Sequence, residues 1–255
     1  MFFSRFRGYA SQKSNPRIPD GQRVYAIGDV HGRYDLLRTL LDRIEQDSTG
    51  GETATPAGVS PRIILLGDYI DRGTESDKVI ETVLGGHDVR GWDCLKGNHE
   101  AMLLAALDGQ MDWEMWLANG GVETAFAYGV ATREYTSTGR TAELGGALAE
   151  AIPEAHLAFL RSLPTHVELG DYFFCHAGIR PGVAIDAQMP EDLMWIRDLF
   201  LDSRADHGKR IVHGHTPKME PEILPNRINV DTGAYLTHRL SCVVLEADQV
   251  RVIHT

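Results

Sequence analysis

Side chains able to ligate metal ions recur at five points along this 255-residue chain. Asp29 and His31 lie in Ile27-Gly28-Asp29-Val30-His31-Gly32, and Asp68 lies in Leu66-Gly67-Asp68-Tyr69-Ile70-Asp71-Arg72-Gly73. Asn98 lies in Lys96-Gly97-Asn98-His99-Glu100, His176 in Cys175-His176-Ala177-Gly178, and His215 in His213-Gly214-His215-Thr216-Pro217. Taken singly, a Gly-Asp after an apolar run reads as a turn or helix cap, and a lone histidine as a buried, hydrogen-bonded side chain. Capping does not explain five such termini. Carboxylates and imidazoles gathered in one place need compensation, which divalent cations supply. A mixed oxygen and nitrogen donor set without thiolate argues against structural zinc and iron–sulfur clusters, and suits Mn²⁺, iron or Zn²⁺ in an open site. Six ligands serve two ions if one carboxylate bridges. Two ions roughly 3.5–4 Å apart are the arrangement that hydrolyses phosphate esters.

Such residues must be carried by elements whose ends converge. Residues 22–27 predict a strand, and 34–46 a helix with Leu36, Leu37, Leu40, Leu41 and Ile44 on one stripe. A polar connector at 48–61 precedes the apolar run 63–66, which reads as a buried strand. A helix is expected over 75–84 and extended chain over 89–95. From 99 to 161 the sequence predicts alanine- and leucine-rich helices broken at Asn119-Gly120-Gly121, Gly139 and Gly145-Gly146, a helical insertion at about 101–161. Strands are expected within 165–175, at 210–212, 227–230, 240–246 and 249–253, the last two as a hairpin around Ala247-Asp248. The fold class is therefore α/β, with early alternating units and a later antiparallel part. In such sheets the strand C-terminal ends line one edge, where sites form. Residues 1–20 are expected to be an N-terminal tail, loose or packed as a lid, before a single catalytic domain at 21–255.

Composition narrows the function further. The net charge of -11 argues against general nucleic-acid or anionic-membrane binding. No apolar stretch is long enough to span or insert stably in a membrane, and residues 1–10 lack the apolar core of a secretory signal. Three scattered cysteines, Cys94, Cys175 and Cys242, read as free thiols of a reducing compartment, so a cytoplasmic location is expected.

The series GDVHG, GDYIDRG, GNHE, CHAG and GHTP resembles the signature of the metal-dependent phosphoprotein phosphatase (PPP) family of metallophosphoesterases, in its compact bacterial form. The resemblance implies a β-sandwich flanked by helices (αββα) and two divalent metal ions, manganese first, with iron or zinc as the other fits. It implies that Asp29 and His31 hold one metal, that Asp68 bridges, and that Asn98, His176 and His215 hold the second. It implies direct attack by a metal-bridging hydroxide on a phosphorylated serine or threonine, with tyrosine a further substrate, and His99 as general acid oriented by Asp71. Arg72 would grip the phosphate, with Arg197 of Trp195-Ile196-Arg197 as the second phosphate arginine; the competing reading of Arg197 is a surface helix cation. The rival activity on the same scaffold is cleavage of a dinucleoside polyphosphate of the Ap4A type or another small phosphoanhydride. Asp71-Arg72-Gly73 and Glu100 tilt toward the phosphoprotein. A non-catalytic binding module predicts losses among the ligands or at His99, and none is visible. Of the remaining residues, His213 reads either as a support behind the ligands or as structural, and Trp113 with Trp116 as part of a hydrophobic cap. Arg33 is either solvated or within reach of substrate. Tyr235 is either packed or at the site.

Overall fold

The computed structural model describes residues 15–50, 54–56 and 58–255. Its strands, in chain order, are β1 (Gln22–Ile27), β2 (Ser60–Leu65), β3 (Asp93–Cys94), β4 (His166–Leu169), β5 (Tyr172–Cys175), β6 (Arg210–His213), β7 (Glu222–Ile223), β8 (Arg227–Asn229), β9 (Ser241–Glu246) and β10 (Gln249–His254). They form two five-stranded sheets, ordered β10-β9-β1-β2-β3 and β4-β5-β6-β8-β7. In the first, β1, β2 and β3 run parallel, and in the second, β5, β6 and β8 do. Antiparallel strands extend both sheets.

Alternation along the strands explains the layering, because successive side chains point to opposite faces. Val24 and Ala26 of β1, Ile64 of β2 and Val243 and Leu245 of β9 meet Tyr172, Phe174, Val212 and Ile228 between the sheets. The intervening Tyr25, Ile27 and Leu65 face outward onto helices α1 (Tyr34–Thr49) and α2 (Ser76–Arg90). Leu37, Leu40 and Ile44 of α1 are buried there, while Leu36 and Leu41 are half-buried at the margin of the stripe. On the far side Phe173, Cys175 and Ile211 pack against Leu193, Ile196 and Phe200. Two helix layers thus enclose two sheets, the αββα arrangement expected from the resemblance.

The segment after β3 is helical: α3 (Asn98–Leu107), α4 (Trp113–Trp116), α5 (Val122–Ala127), α6 (Thr132–Thr136), α7 (Thr141–Ala151) and α8 (Glu154–Ser162). A π-helical turn, Leu117–Gly121, joins α4 to α5, with Gly120 at φ 106°. Gly120 has non-helical backbone, so the chain kinks there between two helices, at the break expected at Asn119-Gly120-Gly121. Gly145-Gly146 does not interrupt its helix: both lie inside α7, where Gly145 packs under Trp113. Trp113 and Trp116 stack edge to face at 5.6 Å, and Trp116 is buried, as a hydrophobic cap requires. Among the described residues no helix is long and apolar enough to cross a membrane.

The segment around residue 89 corrects the sequence reading. Val89 is not extended but helical, in an α2 that continues to Arg90, and it is 83% exposed. Gly85-Gly86 resembles a stop. At Gly86, however, a side chain would strike the Trp92 ring, so the glycine is selected by packing; Gly91, at φ 67°, is the actual terminator. The strand that follows is only Asp93–Cys94. At the N-terminus, residues 1–14 lie outside the described residues. Ile18, placed in the tail by sequence, is buried in the sandwich core and donates its amide to Ala247 at 2.9 Å. Phe174→Ala should cost about 3–5 kcal/mol in urea unfolding, because it empties the space between the sheets. Val89→Ser should cost less than about 0.5 kcal/mol, as befits an exposed helix position.

Candidate active site

Every motif residue follows a parallel strand: Asp29 and His31 after β1, Asp68 after β2, Asn98 after β3, His176 after β5, and His215 after β6. Both sheets therefore direct their loops to one end of the sandwich. Five of the seven described non-glycine residues with positive φ belong to these loops: His31 (48°), Asp68 (53°), Asp71 (71°), Arg72 (69°) and His215 (66°). Left-handed backbone costs a non-glycine residue of order 1 kcal/mol and survives only where surrounding structure dictates it. Glycine supplies the close approach at Gly97, where a Cβ would lie 2.1 Å from Asp68 Oδ1.

Two groups of ligand atoms converge, each with its atoms within 4.8 Å of one another: His31, Asp68 and His99, and Asp68, His176 and His215. Asp68 belongs to both. Asn98 joins the second, its Oδ1 lying 2.9 Å from His176 Nε2 and 2.8 Å from His215 Nδ1. Asp29 is in neither group as the atoms stand. Its oxygens accept the His215 amide at 3.2 and 3.0 Å, and the charges of Asp68 and His176 still act on it. Burial, then the neighbouring Asp231, pushes the Asp29 carboxyl well above the usual range.

The donor chemistry fits a pair of cations. The Leu66 carbonyl accepts from His176 Nδ1 at 2.9 Å, and the Ile70 carbonyl accepts from His31 Nδ1 at 2.8 Å. Each bond turns Nε2 toward the cleft, the backing that ligating imidazoles use. His176 Nε2 then faces Asn98 Oδ1, Asp68 Oδ1 at 3.4 Å and His215 Nδ1 at 3.2 Å. One proton cannot serve three such partners, whereas a divalent cation coordinates all of them. Burial opposes charge on His176, but Asp68 and Asp29 overcome it and push the imidazole up to about 10. The reverse holds at Asp68: burial raises its carboxyl, but His176, His99 and His31 hold it well below the usual range.

Beside this centre His99 Nδ1 donates to Asp71 Oδ2 at 2.7 Å, with both residues buried. The remaining His99 nitrogen, Nε2, lies 3.8 Å from Asp68 Oδ2. Burial alone would lower the His99 imidazole, but Asp68 and Asp71 outweigh it and raise it above the usual range. Arg72 donates to His31 Nε2 at 2.9 Å and lies 4.6 Å from the Tyr235 ring centre, which places Tyr235 at the site. Arg33 is not free for a ligand: it donates to the Ala234 carbonyl and pairs with Asp35, fixing the Tyr235 turn to α1. Arg197 is exposed at the start of the helix Asp198–Leu201, and its charge helps hold His215 down to about 2, after burial and His176. His213 is buried against Phe200, and burial pushes it down to about 3.

The GNHE motif was read for its ligand and acid, but Glu100 supports the whole centre. Its carboxylate is fully buried and accepts from the amides of Asp68 (2.9 Å), Tyr69 (2.7 Å) and Gly97 (2.9 Å). Burial, with Asp68 nearby, pushes it up to about 7. The wholly acidic side chain beside ligands was the available signal. Its partners are backbone groups, which sequence does not display. Asp231, also buried and pushed up to about 6 by burial, forms the wall behind Asp29.

A family model described as calcineurin-like phosphoesterase matches residues 22–253. The chain belongs to that family. Among relatives of this calcineurin-like phosphoesterase, the zinc-dependent endopolyphosphatase of Saccharomyces cerevisiae is 31% identical over 67% of this chain and 51% of its own length. The asymmetrical bis(5'-nucleosyl)-tetraphosphatase PrpE of Bacillus subtilis is 27% identical over 84% of this chain and 87% of its own. Serine/threonine-protein phosphatase 2 of Escherichia coli is 36% identical over 39% of each chain. The chain thus spans about half of the first relative and less of the third. The fold also matches the cold-active protein-tyrosine phosphatase of a psychrophilic Shewanella, with TM-score 0.56, 18% identity, and coverage of 92% of this chain and 80% of that one. A hydrolase of metallophosphoesterase type, with the phosphoprotein phosphatases among its kin, is what the sequence motifs indicated. Glu100→Gln should leave the Asp68 turn with one acceptor replaced by a donor, and lower metal affinity about 10–100-fold. Metal titration by calorimetry measures this, with a parallel fall in thermal stability.

Proposed function

We propose that the protein is a dinuclear-metal phosphomonoesterase acting on phosphorylated protein side chains, serine or threonine first and tyrosine as a further substrate. In this reading Asp29, His31 and Asp68 hold one ion, and Asp68, Asn98, His176 and His215 hold the other. Two bound cations, manganese being the preferred pair, supply the activated water and neutralise phosphoryl oxygens. The protein's own groups do the rest. Arg72, steadied by the Tyr235 ring, presents a planar fork to the phosphate, and Arg197 serves as the second phosphate arginine. His99 donates a proton from Nε2 to the departing oxygen while Asp71 holds its Nδ1–H.

The single observation that supports this best is the buried Asp71–His99 pair at 2.7 Å beside Asp68. A proton donor matters most when the leaving group is a poor one, as serine and threonine alkoxides are. A phosphoanhydride releases a phosphate that already leaves readily. The second reading, hydrolysis of a dinucleoside polyphosphate, draws on the PrpE relatives, whose match extends over most of both chains. A cytoplasmic location belongs to the same proposal and accords with three free, buried cysteines.

Protein stripped with a chelator should release no phosphate, and added Mn²⁺ should restore release from phosphoserine, phosphothreonine or phosphotyrosine peptide. Cleavage of diadenosine tetraphosphate alone would overturn the proposal in favour of the second reading. His99→Ala should retain both metals yet lose about 10²–10⁴-fold in kcat on phosphoserine peptide. Its loss on p-nitrophenyl phosphate, whose leaving group needs little protonation, should be much smaller.

A further inference from the structure

The helical insertion reaches the proton-donating pair through one hydroxyl. Thr124 on α5 is fully buried, and its Oγ1 donates to Asp71 Oδ1 at 2.7 Å. The same oxygen accepts the Asp71 amide at 2.7 Å and lies 3.0 Å from Ser76 Oγ. A threonine hydroxyl has one proton and two lone pairs. The Asp71 amide can only donate, so it takes one lone pair. An ionised Asp71 carboxylate can only accept, so the single proton goes to Oδ1. Ser76 must then donate to the remaining lone pair. Every partner's direction is thereby fixed, and Asp71 is left with Oδ2 for His99.

Gly120, in the π turn of the same insertion, holds the next residue. Its carbonyl accepts the Arg72 amide at 3.0 Å, and its α-carbon lies so close to Arg72 that a Cβ would meet Arg72 Cγ at 2.7 Å. Asp71 and Arg72 both carry left-handed backbone, at φ 71° and 69°, and both are clamped by this one stretch of insertion. We infer that Thr124 is a positioning residue for proton donation: by clamping Asp71 it sets the angle at which His99 presents Nε2, so that the insertion governs how well the enzyme expels poor leaving groups.

This inference rests on the role proposed above for His99, and the test separates the two. Manganese-loaded Thr124→Val, Thr124→Ser and His99→Ala are compared on phosphoserine peptide and p-nitrophenyl phosphate, with metal content and melting temperature measured for each. Thr124→Val keeps the shape and removes the hydroxyl. Its kcat on the peptide should fall at least about tenfold, part of the 10²–10⁴ that a general acid contributes, with KM little changed. Its loss on p-nitrophenyl phosphate should be several times smaller, and Thr124→Ser should recover most of the activity on peptide. Equal losses on both substrates, a change in KM alone, or no recovery with serine would overturn the inference. If His99→Ala discriminates between the substrates and Thr124→Val does not, only the inference falls. If His99→Ala does not discriminate, the His99 role falls and takes this inference with it. Should the valine variant fail to fold, Thr124→Ala against Thr124→Ser gives the same hydroxyl comparison.

Discussion

The Asp68 carboxylate is the point on which the molecule turns. It is 2% exposed, accepts the His99 amide at 3.1 Å, and has imidazoles of His31, His99 and His176 around it at 3.5, 3.8 and 3.4 Å. An ionised carboxylate in such a place is tolerated only with compensation from all sides. The compensating groups come from three different loops. Those loops in turn take backbone conformations that Glu100, Gly97 and the facing turns hold in place. The sheets supply the directions and the loops supply the strain, but both are arranged about one oxygen pair.

The legibility of this arrangement was uneven. The strand periods and the apolar stripe of α1 were readable because burial on one face leaves a repeating mark. The candidate ligands were readable because each sits beside a strand end and carries a metal-competent group. The support that Glu100 and Thr124 give was not readable, since most of their partners are backbone amides or side chains far away in sequence. Val89 was expected in extended chain, whereas the helix runs past Gly85-Gly86 to Gly91, and the packing of Trp92 on Gly86 is invisible in sequence. A glycine selected to admit an aromatic ring and a glycine selected to end a helix are the same letter.

The insertion is more than a cover. Its tryptophan pair and its leucines share one hydrophobic cluster with side chains of α2, α3 and α8, which makes it a firm body. Its inner surface touches the centre at two polar places, Gly120 and Thr124. A hydrophobic body that ends in two short hydrogen-bonding contacts transmits its position sharply, because close-packed interiors yield little. Those two contacts hold the Asp71-Arg72 turn in its left-handed backbone.

The pairing of β9 with β1 has a consequence for how the protein comes into being. Val24, near one end of the chain, lies opposite Leu245, near the other, and Gly28 donates its amide to Ser241 at 3.1 Å. A chain emerging from the ribosome N-terminus first therefore offers β1 with one edge bare until the last hairpin arrives. Contacts so distant in sequence close late, and the bare edge is meanwhile open to any other extended segment. The loop bearing Asp29 and His31 leaves directly from β1, so the backing that β9 gives this strand also backs that loop.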